Sequence, residues 1–251
     1  NIHQKLEQQL AKWLDREMVL LYPSGFQANM AAVIALTDRH TPVICDRLIH
    51  HSLLVGVKAS GAKLIRYKHN NLYDLEALLK KSRQSNPLKQ PLVITESLFS
   101  MEGTTAPIKE ISKLCIKYDS KLLIDEAHSF GVMGPAGRGE SFGLKEPISI
   151  ISGTFGKAFG SGGAFLATDK VTGENLIQNC GAFRYTTALA PPLCASALAA
   201  LNLIESNPNW CKRLREKSLA LRDRLCQIGW QRPAGGGPII SIILGSDEVA
   251  M

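Results

Sequence analysis

The stretch Ile148–Leu166, I-S-I-I-S-G-T-F-G-K-A-F-G-S-G-G-A-F-L, decides how this chain is read. Ile148–Ile151 is a short, β-branched run and reads as the end of a strand. Gly160–Gly163 reads as a turn that feeds another strand at Ala164–Leu166. Between them stands Lys157, preceded by Thr154 and flanked by Gly156 and Ala158. Small neighbours leave room for a bulky planar group beside the amine. A lysine held off solvent populates its neutral, nucleophilic form, which Schiff-base chemistry requires. The alternative is a solvated lysine in an ordinary glycine-rich loop. What the rest of the chain places nearby decides between the two.

Outward from this loop, strand and helix patterns alternate. Ile2–Leu14 carries apolar residues at helical spacing, and Met18–Tyr22 follows as a strand. Pro23-Ser24-Gly25 then breaks the chain before an Ala-rich helix. Such a helix start offers free amides to an anion, although Ser24 also suits an ordinary N-cap. Pro42–Cys45 reads as a strand ending in Asp46-Arg47-Leu48-Ile49-His50-His51-Ser52, Leu53–Ala59 as a helix and Lys63–Tyr67 as a strand. Leu72–Lys81 reads as a helix, with Arg83–Gln90 a polar, flexible connector. Pro91–Thr95 and Lys121–Ile124 are strands that run into Glu96–Gly103 and Asp125–Gly131, with the helix Ile108–Tyr118 between them. A loop with Arg138 occupies Gly134–Gly139.

This alternation predicts an α/β fold with a mostly parallel sheet between helices and right-handed crossovers. That architecture gathers the residues just past the strands along one edge, here His50, Ser100, Asp125 and Lys157. Each has a plainer reading alone: the histidine as a cap or surface group, Asp125 as a turn cap. Together they point to one site. Asp125 is expected to be partly buried and to need a cationic partner, which a pyridinium nitrogen supplies.

Beyond Pro191-Pro192, Leu193–Glu205 reads as a buried helix. Trp210–Ile228 reads as a long charged helix with a stripe at Leu214, Leu219, Leu221 and Leu225, and Pro238–Leu244 as a new strand. The expected organisation is an N-terminal helix over 1–14, a large cofactor-binding domain over 15–205, and a linking helix with the start of a smaller α/β domain over 206–251. Asn1 is not an initiating methionine, and 246–251 breaks off at what reads as a helix N-cap. The sequence is therefore expected to be a piece of a longer chain.

At 251 residues and 45% hydrophobic, the chain is long enough to bury a real core. Its formal charge of +7 is scattered, and aromatics make up only 6%, which argues against nucleic acid and for anionic small molecules. The cysteines Cys45, Cys115, Cys180, Cys194, Cys211 and Cys226 form no C-x-x-C pair and no metal spacing. Reduced thiols, no metal, no membrane span and a cytoplasmic location are expected.

Five ordered motifs carry a resemblance: Ser24–Asn29 (S-G-F-Q-A-N), Asp46–His50 (D-R-L-I-H), Phe99–Gly103 (F-S-M-E-G), Asp125–Gly131 (D-E-A-H-S-F-G) and Gly153–Gly160 (G-T-F-G-K-A-F-G). They resemble the signatures of the α-oxoamine synthases, pyridoxal-phosphate-dependent acyltransferases of fold-type I. The resemblance implies a seven-stranded sheet of the aminotransferase kind and the cofactor pyridoxal 5′-phosphate. It implies that Lys157 holds the cofactor covalently and moves the amino-acid α-proton, with His50 stacked on the ring beside the substrate. Asp125 would pair with the ring nitrogen, His128 with its phenolic oxygen, and Gly25 and Phe26 with the phosphate. Ser100 and Thr154 would complete the shell, and Thr186 or Thr187 would reach a phosphate across a homodimer interface. His51 receives no role beyond a surface or interface histidine.

The substrates implied are L-alanine and a pimeloyl thioester, on CoA or a carrier protein, joined with loss of carbon dioxide. Ala106-Pro107 and Ala127 lean away from two other branches, but relatives acting on glycine or serine with an acyl-CoA remain the alternative. The segment Tyr185–Pro192 is one residue longer than the family pattern, so which threonine meets phosphate stays open. The family's N-terminal segment and most of its C-terminal domain are absent, and its substrate-carboxylate arginine would lie beyond Met251. Other classes fit less well. A nicotinamide-binding protein should carry G-x-G-x-x-G after its first strand, and a non-catalytic subunit on this fold should have lost Lys157. A different fold-type I enzyme, such as an aldolase, is the remaining reading.

Overall fold

All seven strands expected between Met18 and Leu166 form and join in one sheet. They are β1 (Met18–Tyr22), β2 (Pro42–Asp46), β3 (Lys63–Tyr67), β4 (Leu92–Glu96), β5 (Lys121–Asp125), β6 (Ile148–Thr154) and β7 (Ala164–Thr168). Their order is β1-β7-β6-β5-β4-β2-β3 in a computed structural model that describes residues 1–246 and 248. β3, β2, β4, β5 and β6 pair in parallel, and β7 runs antiparallel to both β6 and β1. This is the fold-type I, aminotransferase-like α/β sheet that the sequence implied.

The near-continuous apolar strands follow from burial on both faces. Ile44, Val93, Leu122 and Ile124 point into one core, and Val43, Cys45, Leu92, Ile94 and Leu123 into the other. The first core is built with α1 (Ile2–Leu14), α4 (Leu72–Ser85), α5 (Ile108–Lys117) and α8 (Pro191–Ser206). The second takes α2 (Gly25–Leu36), α3 (His51–Ser60) and α6 (Lys170–Asn179). Phe130, Phe155, Phe165 and Trp13 stack at the heart of the first core. Gly153 is required there, because a Cβ would lie 2.5 Å from the Phe165 ring and 2.6 Å from that of Phe130.

In its helices and C-terminal segment the fold departs from the sequence expectations in four places. The helix read as Leu72–Lys81 runs on to Ser85, so the connector begins only at Asn86. The helix read as buried over Leu193–Glu205 is buried on one face, through Cys194, Ala197, Leu201 and Ile204, while Leu203 is exposed. In α9 (Asn209–Gln227) Leu214, Leu219 and Leu221 are exposed, and Cys211, Ser218 and Arg222 turn inward instead.

The fourth departure, at Pro238–Leu244, explains the third. No strand forms there; a fully buried Arg222 instead gathers carbonyls from the coil over 234–239. Its guanidinium donates to Ala234 O, Gly237 O at 2.8 Å and Ile239 O at 2.6 Å. These bonds hold the coil over 234–239 against α9. The helix start expected at 246–251 falls on residues 247 and 249–251, outside the described residues. Among the described residues, no helix is long and apolar enough to cross a membrane.

Candidate active site

The strand order reverses at β2, with β3 on one side of it and β4 on the other, and the carboxyl ends of β2, β4, β5 and β6 open there. Asp125 closes β5 and is 4% exposed. Its Oδ2 accepts from Asn29 Nδ2 at 2.6 Å and its Oδ1 from the Ala127 N–H at 2.9 Å. Among the described residues it forms no ion pair. A buried carboxylate served only by neutral donors leaves room for a cation.

Glu96 ends β4, opposite Asp125 in register, and is equally buried. It accepts from the His50 N–H at 2.5 Å. Burial, and then the neighbouring Asp125 charge, push its pKa up to about 9, so it carries its proton at neutral pH. His50 caps α3 and keeps an exposed ring, while its Nδ1 lies 2.7 Å from Ser52 Oγ. His51 beside it is exposed.

His128 is half-buried, and burial lowers its pKa. The Lys157 charge adds to that lowering, Asp125 opposes it and His50 reinforces it. Three groups from three strand ends therefore act on one imidazole. Lys157 itself is exposed, as are Gly156 and Ala158, so this chain does not provide the shielding expected for it. The reason lies in the loop, whose inner side buries Phe155 and Phe159 and so turns Lys157 outward. Thr154 and Gly163 pin that loop: the Thr154 hydroxyl donates to Gly163 O at 3.0 Å and accepts from the Gly156 N–H at 3.2 Å. Gly163 sits at φ +92°, where a side chain is strained, and a Cβ there would also lie 3.1 Å from the Tyr22 carbonyl.

Ser24 caps α2 twice, its hydroxyl accepting from the Gln27 N–H and its carbonyl from the Ala28 N–H. The amides of Gly25 and Phe26 remain as the helix's unclaimed first-turn donors. A Cβ on Gly25 would sit 3.7 Å from the Thr154 Cβ, so these amides open beside the Lys157 loop at the positive end of α2. Ser100 is half-buried in the turn after β4, held by Phe99 N–H to Thr104 O and Gly103 N–H to Phe99 O. Thr186 is half-buried and Thr187 exposed, just past α7 (Gly181–Arg184), which Gln27 Nε2 tethers through Ala182 O at 2.8 Å. Among the described residues no hydrogen bond ties either threonine to the cleft.

The structure thus gathers Lys157, Asp125, His50 and His128, with Gly25 and Phe26 beside Thr154. Sequence reasoning passed over Asn29, Ser52 and Glu96. The signals were there: an asparagine on the buried face of an Ala-rich helix, and a glutamate closing an apolar strand as Asp125 does.

The aminotransferase class I and II family matches residues 1–251. The chain belongs to that family. A putative 8-amino-7-oxononanoate synthase of Acetivibrio thermocellus is 40% identical over 252 residues, covering 100% of this chain and 64% of the relative. The 8-amino-7-oxononanoate synthase of Anaeromyxobacter dehalogenans is 37% identical over 99% of this chain and 62% of its own length. The chain thus spans a little under two thirds of the curated relatives it matches. Among solved structures, serine palmitoyltransferase from S. paucimobilis, with bound PLP–myriocin, superposes at TM-score 0.92 and 27% identity over 99% of this chain and 64% of that one. The 8-amino-7-oxononanoate synthase of Francisella tularensis superposes at 0.86 with 30% identity, covering 99% and 72%. Both kinds of neighbour are α-oxoamine synthases, the branch that the five motifs indicated.

Proposed function

We propose that this chain is the cofactor-binding part of a pyridoxal-phosphate-dependent acyltransferase that joins an amino acid to an acyl thioester. The observation that carries it is the buried Asp125 without a cationic partner, beneath an edge that also presents Lys157, His50 and His128. A pyridinium nitrogen is the partner such a carboxylate lacks, and the Gly25 and Phe26 amides suit a phosphate. The residues present therefore fit the cofactor. Bound there, pyridoxal phosphate supplies an electron sink for negative charge at the amino-acid α-carbon.

The chain's own residues do the rest. Asp125 accepts the hydrogen of the ring nitrogen and keeps that ring cationic. His128, with its lowered pKa, would serve the phenolic oxygen, and the exposed His50 ring would be free to meet the cofactor ring. Lys157 Nζ would hold the cofactor covalently and, once substrate displaces it, would take the α-proton. The α-carbon would then attack the thioester carbonyl as the thiolate leaves and takes a proton from solvent, and after carbon dioxide departs from the former amino-acid carboxyl the proton held by Lys157 would return to the α-carbon.

The proposed substrates are L-alanine and a pimeloyl thioester, giving 8-amino-7-oxononanoate. Identities of 36–40% to synthases so named support this over glycine or serine chemistry. The superposition on serine palmitoyltransferase keeps the second reading, a serine-using relative, in view. A cytoplasmic homodimer, with Thr186 or Thr187 facing the partner's phosphate, completes the proposal; the free thiols suit a reducing compartment. The test is to load the protein with pyridoxal phosphate and follow the cofactor's absorbance while adding L-alanine, glycine or L-serine. A response confined to L-alanine, with carbon dioxide released once pimeloyl thioester is added, supports the proposal. A response to L-serine and a long-chain acyl thioester overturns the substrate assignment, and no cofactor absorbance overturns the whole.

A further inference from the structure

Asn29 and Ser52 are both buried and both lie between Asp125 and His50, yet neither faces the cleft as a reacting group. We infer that they are positioning residues, which fix the tautomer and tilt of the His50 ring and tie it to the Asp125 carboxylate.

The direction of each hydrogen bond follows from what each atom can do. A carboxylate only accepts, so the Asn29 atom 2.6 Å from Asp125 Oδ2 is the amide nitrogen. Its second hydrogen goes to Ser52 Oγ at 3.0 Å. With that lone pair engaged, the Ser52 hydroxyl hydrogen is directed at His50 Nδ1, 2.7 Å away. The Ser52 backbone N–H also points at Nδ1, at 3.3 Å, and a backbone N–H can only donate. His50 Nδ1 is therefore the bare nitrogen and Nε2 carries the hydrogen. Each donation polarises the next, so one amide group sets both the carboxylate under the cleft and the imidazole over it.

Asn29 accepts an unfavourable arrangement in doing so, because its Oδ1 is buried and has no partner among the described residues. An asparagine that served stability alone would satisfy that oxygen first. His69 supplies an internal contrast. Its Nδ1 lies 3.0 Å from Asp46 Oδ1, and its Nε2 lies 2.8 Å from Thr104 Oγ1. The carboxylate makes His69 Nδ1 the protonated nitrogen, the opposite tautomer to His50.

The inference rests on the reading of His50 as the residue lying against the cofactor ring, but its test does not need the cofactor. Long-range proton–nitrogen spectra of the 15N-histidine-labelled protein, without cofactor, report which ring nitrogen carries hydrogen. The expected wild-type result is hydrogen on Nε2 for His50 and on Nδ1 for His69. Ser52→Ala should shift the His50 tautomer ratio towards Nδ1–H by about fivefold, the worth of one hydrogen bond, and leave His69 unchanged. Asn29→Ala, which keeps Ser52 in place, should move it in the same direction by less. The His69 signal shows whether either variant has folded.

Hydrogen on Nδ1 of wild-type His50 would overturn the inference, as would a ratio unmoved in both folded variants. Should the tautomer shift as expected in a protein that never takes up pyridoxal phosphate, the cofactor reading falls and the positioning network stands. If the cofactor binds and the ratio does not move, the reverse holds.

Discussion

His50 and His69 follow neighbouring parallel strands, β2 and β3, and each is tied through hydrogen bonds to a buried aspartate. Their surroundings differ in kind. The His69 ring is held at both nitrogens and meets the Phe99 ring edge-on, 4.5 Å between centroids. Its partner Asp46 also accepts from the Leu48 and Asn70 amides, so the group clamps the end of β2 to the turn that carries Ser100. His50 is held at one nitrogen only, with its ring face left to solvent. A histidine with every valence used is part of the scaffold; one fixed at a single nitrogen and open on its face is set to meet something.

The sharpest way to break this contrast is at the amine that, like the open histidine, acts on His128. Lys157→Ala should reduce turnover by at least about a thousandfold, since no other group moves the α-proton. Some cofactor should remain bound through the Gly25 and Phe26 amides and Asp125. Steady-state kinetics beside a cofactor titration would check both, and near-normal turnover would sink the site.

A smaller effect is expected on the scaffold side. His69→Ala leaves the buried Asp46 without its side-chain donor and should lower stability by about 2 kcal/mol, the range for hydrogen bonds to charged groups. Cofactor absorbance should be unaltered. Thermal unfolding of the loaded and unloaded protein reads the first, and a lost cofactor band would show that His69 belongs to the site after all.

A further effect concerns pH. Burial, and then the Asp125 charge, push the Glu96 pKa up from its ordinary 4.5, so above that value the folded chain holds a proton that the unfolded chain releases. Its contribution to stability is complete below about 4.5 and is lost as pH rises towards 9. Glu96→Gln keeps an acceptor for the His50 N–H and should flatten the decline in melting temperature over that window. An unchanged slope would mean Glu96 is ionised where it stands.

The strands, the sheet edge and the places of His50, Asp125 and Lys157 along it were legible because they obey local rules, whereas His128 came only from the family resemblance. Apolar runs made the strands, and polar residues just past those runs marked the edge. Asn29, Ser52 and Glu96 were not, because their importance lies in partners far along the chain: Asn29 meets Asp125 across 96 positions. The α9 face was misread for a related reason. Its leucines follow the helical period, yet Arg222 is the side chain that turns inward, since its guanidinium finds carbonyls at Ala234, Gly237 and Ile239. Periodicity cannot anticipate acceptors supplied by a coil that has not yet folded. The exposure of Lys157 escaped notice likewise, because the flanking Phe155 and Phe159 take the buried side of the loop.

The central claim is that Lys157 carries the cofactor above Asp125. Its most direct test is to load the protein with pyridoxal phosphate, reduce it with borohydride and map the digested peptides by mass spectrometry. The account predicts a reduced phosphopyridoxyl group on the peptide containing Gly156-Lys157-Ala158 and its loss in an Asp125→Ala variant. A label on other lysines alone, or one indifferent to Asp125, would contradict it.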